Sequence, residues 1–150
     1  MQDNELRYPL PADFRIAFVS IEDQARLAIN ALSRPDLAGK QFYIGSVSTG
    51  PEIVAGISEG LGREIRYVPL TAETFGREVI APLMGEQAGE ALVADYNIIR
   101  SRPEGLPLEV DTQPILNELN MSLTPVADWA RQQPWEQMAQ IGRQMAQVGT

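Results

Sequence analysis

Two apolar stretches, each followed at once by a helix-capping motif, most constrain the fold of this sequence. The stretch DFRIAFV alternates apolar and polar side chains as a half-buried strand does, and Ser20 and Asp23 then form an S-x-x-D capping motif. In the same way, KQFYIGS is followed by a capping box of Thr49 and Glu52. Because strands separated by helices of this length favour parallel crossover connections, residues 13–70 predict an α/β fold.

Apolar residues recur at helical spacing in both capped segments. The first helix carries an apolar stripe of Ile21, Ala25, Ala28, Ile29 and Leu32, and the second carries Ile53, Val54, Ile57 and Leu61. Gly62 is placed to end the second helix, and EIRYVPL follows as a third predicted strand. Residues 13–70 are therefore predicted as strand and helix units.

The pattern changes after Thr71 to helices and loops. A helix is predicted from Ala72, with strain near Pro82, and EQAGEALVADYNIIR predicts the next. The stretch SRPEGLPLEVD reads as a loop, and three further helices are predicted up to Leu119, up to Gln132 and from Pro134 onward. We predict a single domain over residues 1–150, of which residues 71–150 form a mainly helical segment.

Composition fits one globular domain of ordinary type. The chain has 150 residues, of which 44% are hydrophobic and 21% charged. No apolar run approaches the roughly 20 residues that a membrane-spanning helix needs. The start MQDNELRY is polar, whereas a secretory signal begins with basic and apolar stretches. We therefore expect a cytoplasmic protein with no membrane partner.

Charge and missing residue types exclude several function classes. The net charge of -8 repels phosphate backbones, so a nucleic-acid partner is not expected. The sequence contains no cysteine and no histidine, which removes disulfides, thiolate or imidazole metal sites and Ser-His or Cys-His catalysis. Lys40 is the one lysine and lies in a turn-like AGKQ setting, where nothing predicts the burial that activates an amine. No metal site and no catalytic residue is assigned.

Two loop motifs resemble nucleotide sites only superficially. In GSVSTGPE the second glycine is followed by Pro51 and Glu52 rather than by the lysine of a phosphate loop. The pair Gly60 and Gly62 closes a helix, whereas the glycines of a dinucleotide fingerprint open one. Adjacent carboxylates such as Glu22 and Asp23 are explained by capping. None of these motifs predicts a cofactor site in this chain.

Four segments together resemble a known family. They are FRIAFVSIEDQARLAINAL, AGKQFYIGS, GISEGLGREIRYVPLTAETF and SLTPVADWARQQPW. In order and spacing, over Leu6 to Trp135, they are similar to the carboxy-terminal half of NmrA-like atypical short-chain dehydrogenase/reductases. The resemblance implies that FYIGS is a late strand of a Rossmann sheet, and that the helix after FRIAFVS borders the active-site cleft. It also places GLGREIRYVPL in the smaller substrate lobe.

The sequence departs from that family at the cofactor site. Family members begin with a strand and a G-x-x-G-x-x-G loop that hold NAD(P), followed by further strand and helix units, and this sequence shows none of them. NAD(P) is thus implied only by resemblance, and we expect no cofactor to bind this chain alone. We expect instead a partial Rossmann-like half with mostly parallel strands. It should form a homodimer or dock onto a Rossmann-containing partner through Phe42–Ser46 and the Trp135–Val148 helix.

Three functions stay open at this point. The first is a substrate-binding lobe of an NmrA-like oxidoreductase or redox-sensing protein, inactive alone. The second is a small cofactor-independent isomerase, lyase or cyclase that uses carboxylates or tyrosines. The third is a structural or regulatory dimerisation partner. A buried carboxylate with a strongly raised pKa would favour the second. If a substrate pocket exists, the predicted lining is Phe18, Ser20, Tyr67, Phe75 and Tyr96, although these aromatic residues could equally belong to the core.

Overall fold

The protein is described by a computed structural model that covers residues 4–101 and 110–138, together with residues 140 and 144. Its strands are β1 (Glu5–Tyr8), β2 (Ile16–Phe18), β3 (Ser46–Ser48) and β4 (Arg66–Pro69). Its α-helices are α1 (Ile21–Leu32), α2 (Gly50–Leu61), α3 (Ala72–Thr74), α4 (Ala81–Met84), α5 (Glu86–Ser101), α6 (Gln113–Leu119) and α7 (Val126–Gln132). Within these ranges no helix has both the length and the apolar character required to cross a membrane.

The strands form two separate pairs. β1 pairs with β4 in parallel, with Leu6 opposite Tyr67, and β2 pairs with β3 in antiparallel, with Ala17 opposite Val47. The result is a mixed α/β fold with a small parallel sheet and many helices, which fits part of a Rossmann-like fold. The α/β class predicted from the sequence is confirmed.

The predicted parallel crossover between the first two strands is wrong. After α1 and a 3-10 turn at Pro35–Leu37, the chain turns back and runs antiparallel to β2. Gly45 permits this course, because a Cβ atom there would lie 2.7 Å from the Cβ of Ala17. Of the predicted strand KQFYIGS, only Ser46 lies in a strand, as the first residue of β3. No described strand pairs with residues 41–45.

Strand β1 was not predicted, because ELRY offers only two apolar side chains in alternation. Its pairing with β4 joins residues about sixty positions apart, and no local pattern encodes such a pairing. The ladder continues past the strands through a hydrogen bond from the Leu70 amide to the Tyr8 carbonyl, 2.9 Å long.

An amphipathic helix is expected to turn its apolar stripe towards a core, but α1 does the reverse. Ile21 is 80% exposed and Leu32 is 86% exposed. The buried residues of α1 are Asp23 and Leu27. The helix is therefore attached to the rest of the chain through its other side.

The core forms where α2 packs against α7 and β4. Val54, Ile57, Ile65 and Ala130 are buried together there. Two glycines of α2 allow close packing, since a Cβ atom on Gly60 would lie 2.4 Å from the Ala127 carbonyl oxygen. The capping box of Thr49 and Glu52 and the left-handed end of α2 at Gly62 are confirmed.

The predicted helix from Ala72 is divided into three parts. Between α3 and α4, residues Phe75–Ile80 form a π-helix. The π-helix lies just before Pro82, which has no N–H to donate to the carbonyl four residues earlier. Gly76 packs directly on Gly89 of α5, because a Cβ atom on Gly76 would lie 2.6 Å from the Gly89 carbonyl oxygen.

The remaining helices agree with their predicted positions. α6 and α7 end at Leu119 and Gln132, as the sequence predicted. Residues 135–138, 140 and 144 are helical, whereas the rest of the predicted Trp135–Val148 helix lies outside the described residues. Residues 102–109, most of the predicted SRPEGLPLEVD loop, lie outside them as well.

Candidate functional site

A cavity of about 170 Å³ lies between the end of β2, the start of α1, the first turn of α2 and the segment that leads into α7. A cavity of about 150 Å³ is large enough to bind a benzene-sized ring. Six lining residues are apolar or aromatic and four carry a hydroxyl or a carboxylate. The lining consists of Phe18, Val19, Ser20, Asp23, Ser46, Ile53, Leu123, Thr124, Val126 and Trp129.

The turn from β2 into α1 positions one wall of this cavity. Ser20 is the N-cap of α1, and its hydroxyl oxygen accepts a hydrogen bond from the Asp23 amide at 3.0 Å. The cap stops the strand at Phe18 and starts the helix at Ile21. As a result, Phe18 and Ser20 line the same cavity.

The Asp23 side chain does not close the capping box but holds the opposite wall in place. Its Oδ2 accepts a hydrogen bond from the Thr124 amide at 2.7 Å, and its Oδ1 accepts one from the Thr124 hydroxyl at 2.9 Å. Oδ1 also accepts a hydrogen bond from Arg26, which reaches the Ser122 carbonyl at 3.3 Å. These bonds join the start of α1 to a segment about one hundred residues later in the chain.

The same contacts determine the charge of Asp23. Burial by itself raises the pKa of this carboxyl, but hydrogen bonds from the Thr124 amide, from Arg26 and from the Thr124 hydroxyl outweigh it. The net pKa lies below the ordinary value of 3.8, so the group is a carboxylate at neutral pH. A carboxylate that already accepts three hydrogen bonds is poorly suited to remove or supply a proton.

An aromatic cluster lies beside the cavity and shares Phe18 with it. The Tyr8 ring centroid is 6.2 Å from that of Phe18, 6.0 Å from that of Phe75 and 5.7 Å from that of Tyr96. The Tyr96 hydroxyl donates a hydrogen bond to the Tyr8 hydroxyl at 2.7 Å. Burial first, and the hydrogen bond to Tyr8 second, raise the pKa of Tyr96. Tyr96 therefore serves as a neutral packing group at physiological pH.

Tyr67 lies in β4 and packs against the α2 core. Its hydroxyl donates a hydrogen bond to the Leu10 carbonyl at 2.7 Å, and burial raises its pKa to about 12, with a smaller contribution from Tyr8. Its ring also fills the space beside Gly50, where an added Cβ atom would lie 2.2 Å from the ring. Tyr67 thus holds β1, β4 and the start of α2 together.

The structure separates the predicted pocket residues into two groups. Phe18 and Ser20 line the cavity, whereas Tyr67, Phe75 and Tyr96 do not. Phe75 is buried in the aromatic cluster. Their assignment as substrate-binding residues stays a prediction.

Sequence reasoning missed Asp23, Thr124 and Trp129 as cavity residues. Asp23 reads locally as a capping residue, and the structure shows that only its amide takes part in the cap. Thr124 and Trp129 lie in SLTPVADWARQQPW, a segment quoted above only for its family resemblance. The hydrogen bonds between Asp23 and Thr124 join residues about one hundred positions apart in the sequence, so no local spacing rule predicts them.

The described residues form neither a carboxylate cluster for a metal ion nor a favourable helix end for a phosphate. Within residues 4–101 and 110–138, no group of three carboxylates is placed to hold a metal ion. The start of α2 carries Glu52, whose carboxylate accepts a hydrogen bond from the Thr49 amide at 2.7 Å. A phosphate at this helix end would meet that negative charge.

Comparisons with known proteins give a similarity in fold. No protein-family model matches the sequence, and no curated protein matches it. The fold is similar to the crystal structure of a nucleoside-diphosphate-sugar epimerase from Staphylococcus aureus, with a TM-score of 0.67 and 26% sequence identity. The similarity covers 86% of this chain but 44% of the epimerase chain. The chain thus spans less than half the length of that protein.

Proposed function

We propose that this chain is the substrate-binding lobe of an NmrA-like, NAD(P)-dependent oxidoreductase or redox-sensing protein, and that it is inactive without a dinucleotide-binding half. The similarity to part of an epimerase carries the proposal, because 86% of this chain is matched while more than half of the epimerase has no counterpart here. The four segments that resemble NmrA-like proteins support the finer assignment.

The cavity beside Asp23 supplies the substrate site in this proposal. Its volume of about 170 Å³ suits a ring-sized portion of a substrate, with Trp129 and Phe18 as apolar walls. Ser20 and Ser46 are polar residues of the lining. Asp23 positions Thr124 rather than reacting, since its oxygens are already occupied.

The geometry gives no support to a cofactor-independent isomerase, lyase or cyclase that works through a carboxylate. That form of the function calls for a carboxyl group with a raised pKa in a pocket. Asp23 is the carboxyl that lines this cavity, and its pKa is lowered. A purely structural or regulatory partner would show no saturable ligand binding in the cavity.

The proposal predicts that the chain alone does not bind NADPH. Titration of the purified chain with NADPH, followed by the fluorescence of the reduced nicotinamide, should give neither enhancement nor a blue shift. Saturable enhancement would contradict the proposed division of roles between two halves.

Occupation of the cavity can be tested separately with phenol as a ring-sized probe. A Trp135→Phe variant leaves Trp129 as the single tryptophan, so its fluorescence reports on the cavity. Phenol should change that fluorescence saturably, and a further Ile53→Phe change, which fills the cavity, should weaken binding about tenfold. A linear, equal response of both proteins would show that the cavity is not a ligand site.

A further inference from the structure

A second cavity, of about 330 Å³, lies between α1, residues 122–125 and α7. Six of its eight lining residues are charged or carry a hydroxyl or an amide, whereas most of the lining of the cavity beside Phe18 is apolar. Because polar groups that lose water must find hydrogen-bond partners, such a cavity suits a polar ligand. The lining consists of Arg26, Ser122, Leu123, Thr124, Pro125, Asp128, Arg131 and Gln132.

Arg26 is fixed at one wall of this polar cavity. Its Nη2 atom donates a hydrogen bond to Asp23, and it lies 3.3 Å from the Ser122 carbonyl oxygen and 3.4 Å from the Thr124 hydroxyl oxygen. Within the described part of the chain, no group accepts a hydrogen bond from its Nε or Nη1 atom. A guanidinium that is already held through one nitrogen loses little side-chain entropy when its other N–H groups bind a ligand.

Arg131, in the last turn of α7, brings a second guanidinium to the cavity. Its Nη1 atom donates a hydrogen bond to Asp128, and its Nη2 atom lies 3.6 Å from a carboxylate oxygen of Glu59. The side chains of these two partners are 51% and 72% exposed. Ion pairs between exposed groups contribute little to stability, so a ligand can compete with them for Arg131.

The two arginines give the cavity a charge that differs from that of the whole chain. The chain has 20 acidic and 12 basic residues and a net charge of -8. In the lining of the polar cavity, two guanidinium groups stand against one carboxylate, that of Asp128. Asp23 is buried behind Arg26, and Thr124 shares in compensating its charge. An anion is therefore attracted locally by a protein that repels anions elsewhere.

We propose that this polar cavity binds a small hydroxycarboxylic acid, whose carboxylate groups accept hydrogen bonds from Arg26 and Arg131. The planar fork of an arginine fits the two oxygens of a carboxylate. The hydroxyl group of the ligand has Ser122, Asp128 and Gln132 as partners of suitable chemistry. A compact phosphate dianion is less suitable, because it would concentrate its charge beside the carboxylate of Asp128.

The acid site is distinct from the cavity proposed for the substrate. The two cavities share Leu123 and Thr124, but neither arginine lines the cavity beside Phe18. The acid site therefore adds a binding activity that the proposed function does not include.

NMR titration of the purified chain with L-malate tests the proposal. The Nε–H resonances of Arg26 and Arg131 report on binding, and each is assigned by its loss in an Arg→Lys variant. The test variant is Arg131→Gln, and the matched control is Arg63→Gln, which removes the same charge at an exposed position just after α2. Malamide, the neutral diamide of the same acid, is the ligand control, and inorganic phosphate at equal ionic strength is the competing anion.

L-Malate should shift the Nε–H resonances of Arg26 and Arg131 saturably in the wild type, and that of Arg63 should stay in place. Arg131→Gln should weaken binding about tenfold or more, because it removes a charge-assisted hydrogen bond, whereas Arg63→Gln should bind as the wild type does. No saturable shift at either arginine, or equal affinity of the two variants, would overturn the site.

Two further outcomes would overturn the ligand class. These are binding of malamide as tight as that of L-malate, and tighter binding of phosphate than of L-malate. None of the outcomes depends on the NADPH and phenol titrations described above, so a failure of the acid site is distinguishable from a failure of the proposed function.

Discussion

α1 and α2 share a length of 12 residues and a hydroxyl N-cap, yet they use their apolar sides in opposite ways. In α2, Val54 and Ile57 enter the core and two glycines allow α7 to pack closely. In α1, the apolar stripe faces solvent, and the buried carboxylate of Asp23 makes the long-range contacts. The comparison shows that amphipathicity identifies a helix and its apolar side but does not identify the neighbour that covers that side.

The largest expected difference between the two helices is in the loss of stability when an isoleucine side chain of each is shortened to alanine. Ile57→Ala removes a fully packed side chain and should lower the free energy of unfolding by about 2 to 5 kcal/mol. Ile29→Ala removes an exposed side chain and should change it by less than about 0.5 kcal/mol. Urea denaturation of both variants measures the contrast. Equal losses would mean that the apolar stripe of α1 is covered in solution by the same chain.

Replacement of Asp23 should weaken the attachment of α1. Asp23→Asn removes the charge that accepts hydrogen bonds from Thr124 and Arg26, and should lower the free energy of unfolding by about 1.5 to 3 kcal/mol at pH 7. The folded pKa of Asp23 is below its ordinary value of 3.8, so its stabilisation is complete above that value and is lost as the pH falls through the folded pKa.

The difference in stability between the wild type and Asp23→Asn should therefore be largest at pH 6 to 7 and shrink below about pH 4. Urea denaturation at several pH values tests this prediction, with Asp13→Asn at an exposed position as the control. If the stability difference between the wild type and Asp23→Asn did not depend on pH, the charge of Asp23 would not contribute to its attachment to Thr124.

A third prediction concerns the close packing of α2 on α7. In a free helix, Gly→Ala stabilises by about 1 kcal/mol. Here a Cβ atom on Gly60 would lie 2.4 Å from the Ala127 carbonyl oxygen, so Gly60→Ala should lower the free energy of unfolding by about 1 to 3 kcal/mol. Thermal unfolding followed by circular dichroism measures the change. A gain in stability would refute the close contact.

The smallest expected effect distinguishes the two caps. Glu52 completes the capping box of α2 locally and is exposed, so Glu52→Ala should lower the free energy of unfolding only slightly. The equivalent change at α1, Asp23→Ala, should be larger, because that carboxylate binds Thr124. Urea denaturation of the two variants side by side tests the order. A larger loss at Glu52 would contradict the difference between the caps.

Much of the fold was predictable where the signal was local. The capping box at Thr49, the end of α2 at Gly62 and the α/β class all follow from short-range patterns, and the structure confirms them. The antiparallel pairing of β2 with β3 and the presence of β1 were not predicted, because strand pairing is decided by residues distant in sequence. For the cavity, Phe18 and Ser20 were named in advance, whereas Thr124 and Trp129 come from a segment brought close only by folding.

By itself, the sequence determined which segments become helices and where their caps lie, and it excluded chemistry that depends on histidine or cysteine. Only the tertiary structure decided that Asp23 binds Thr124 and that the apolar side of α1 faces outward. The physical reason is range: caps and periodicity depend on residues a few positions apart, whereas burial depends on which distant surfaces are present to cover a side chain.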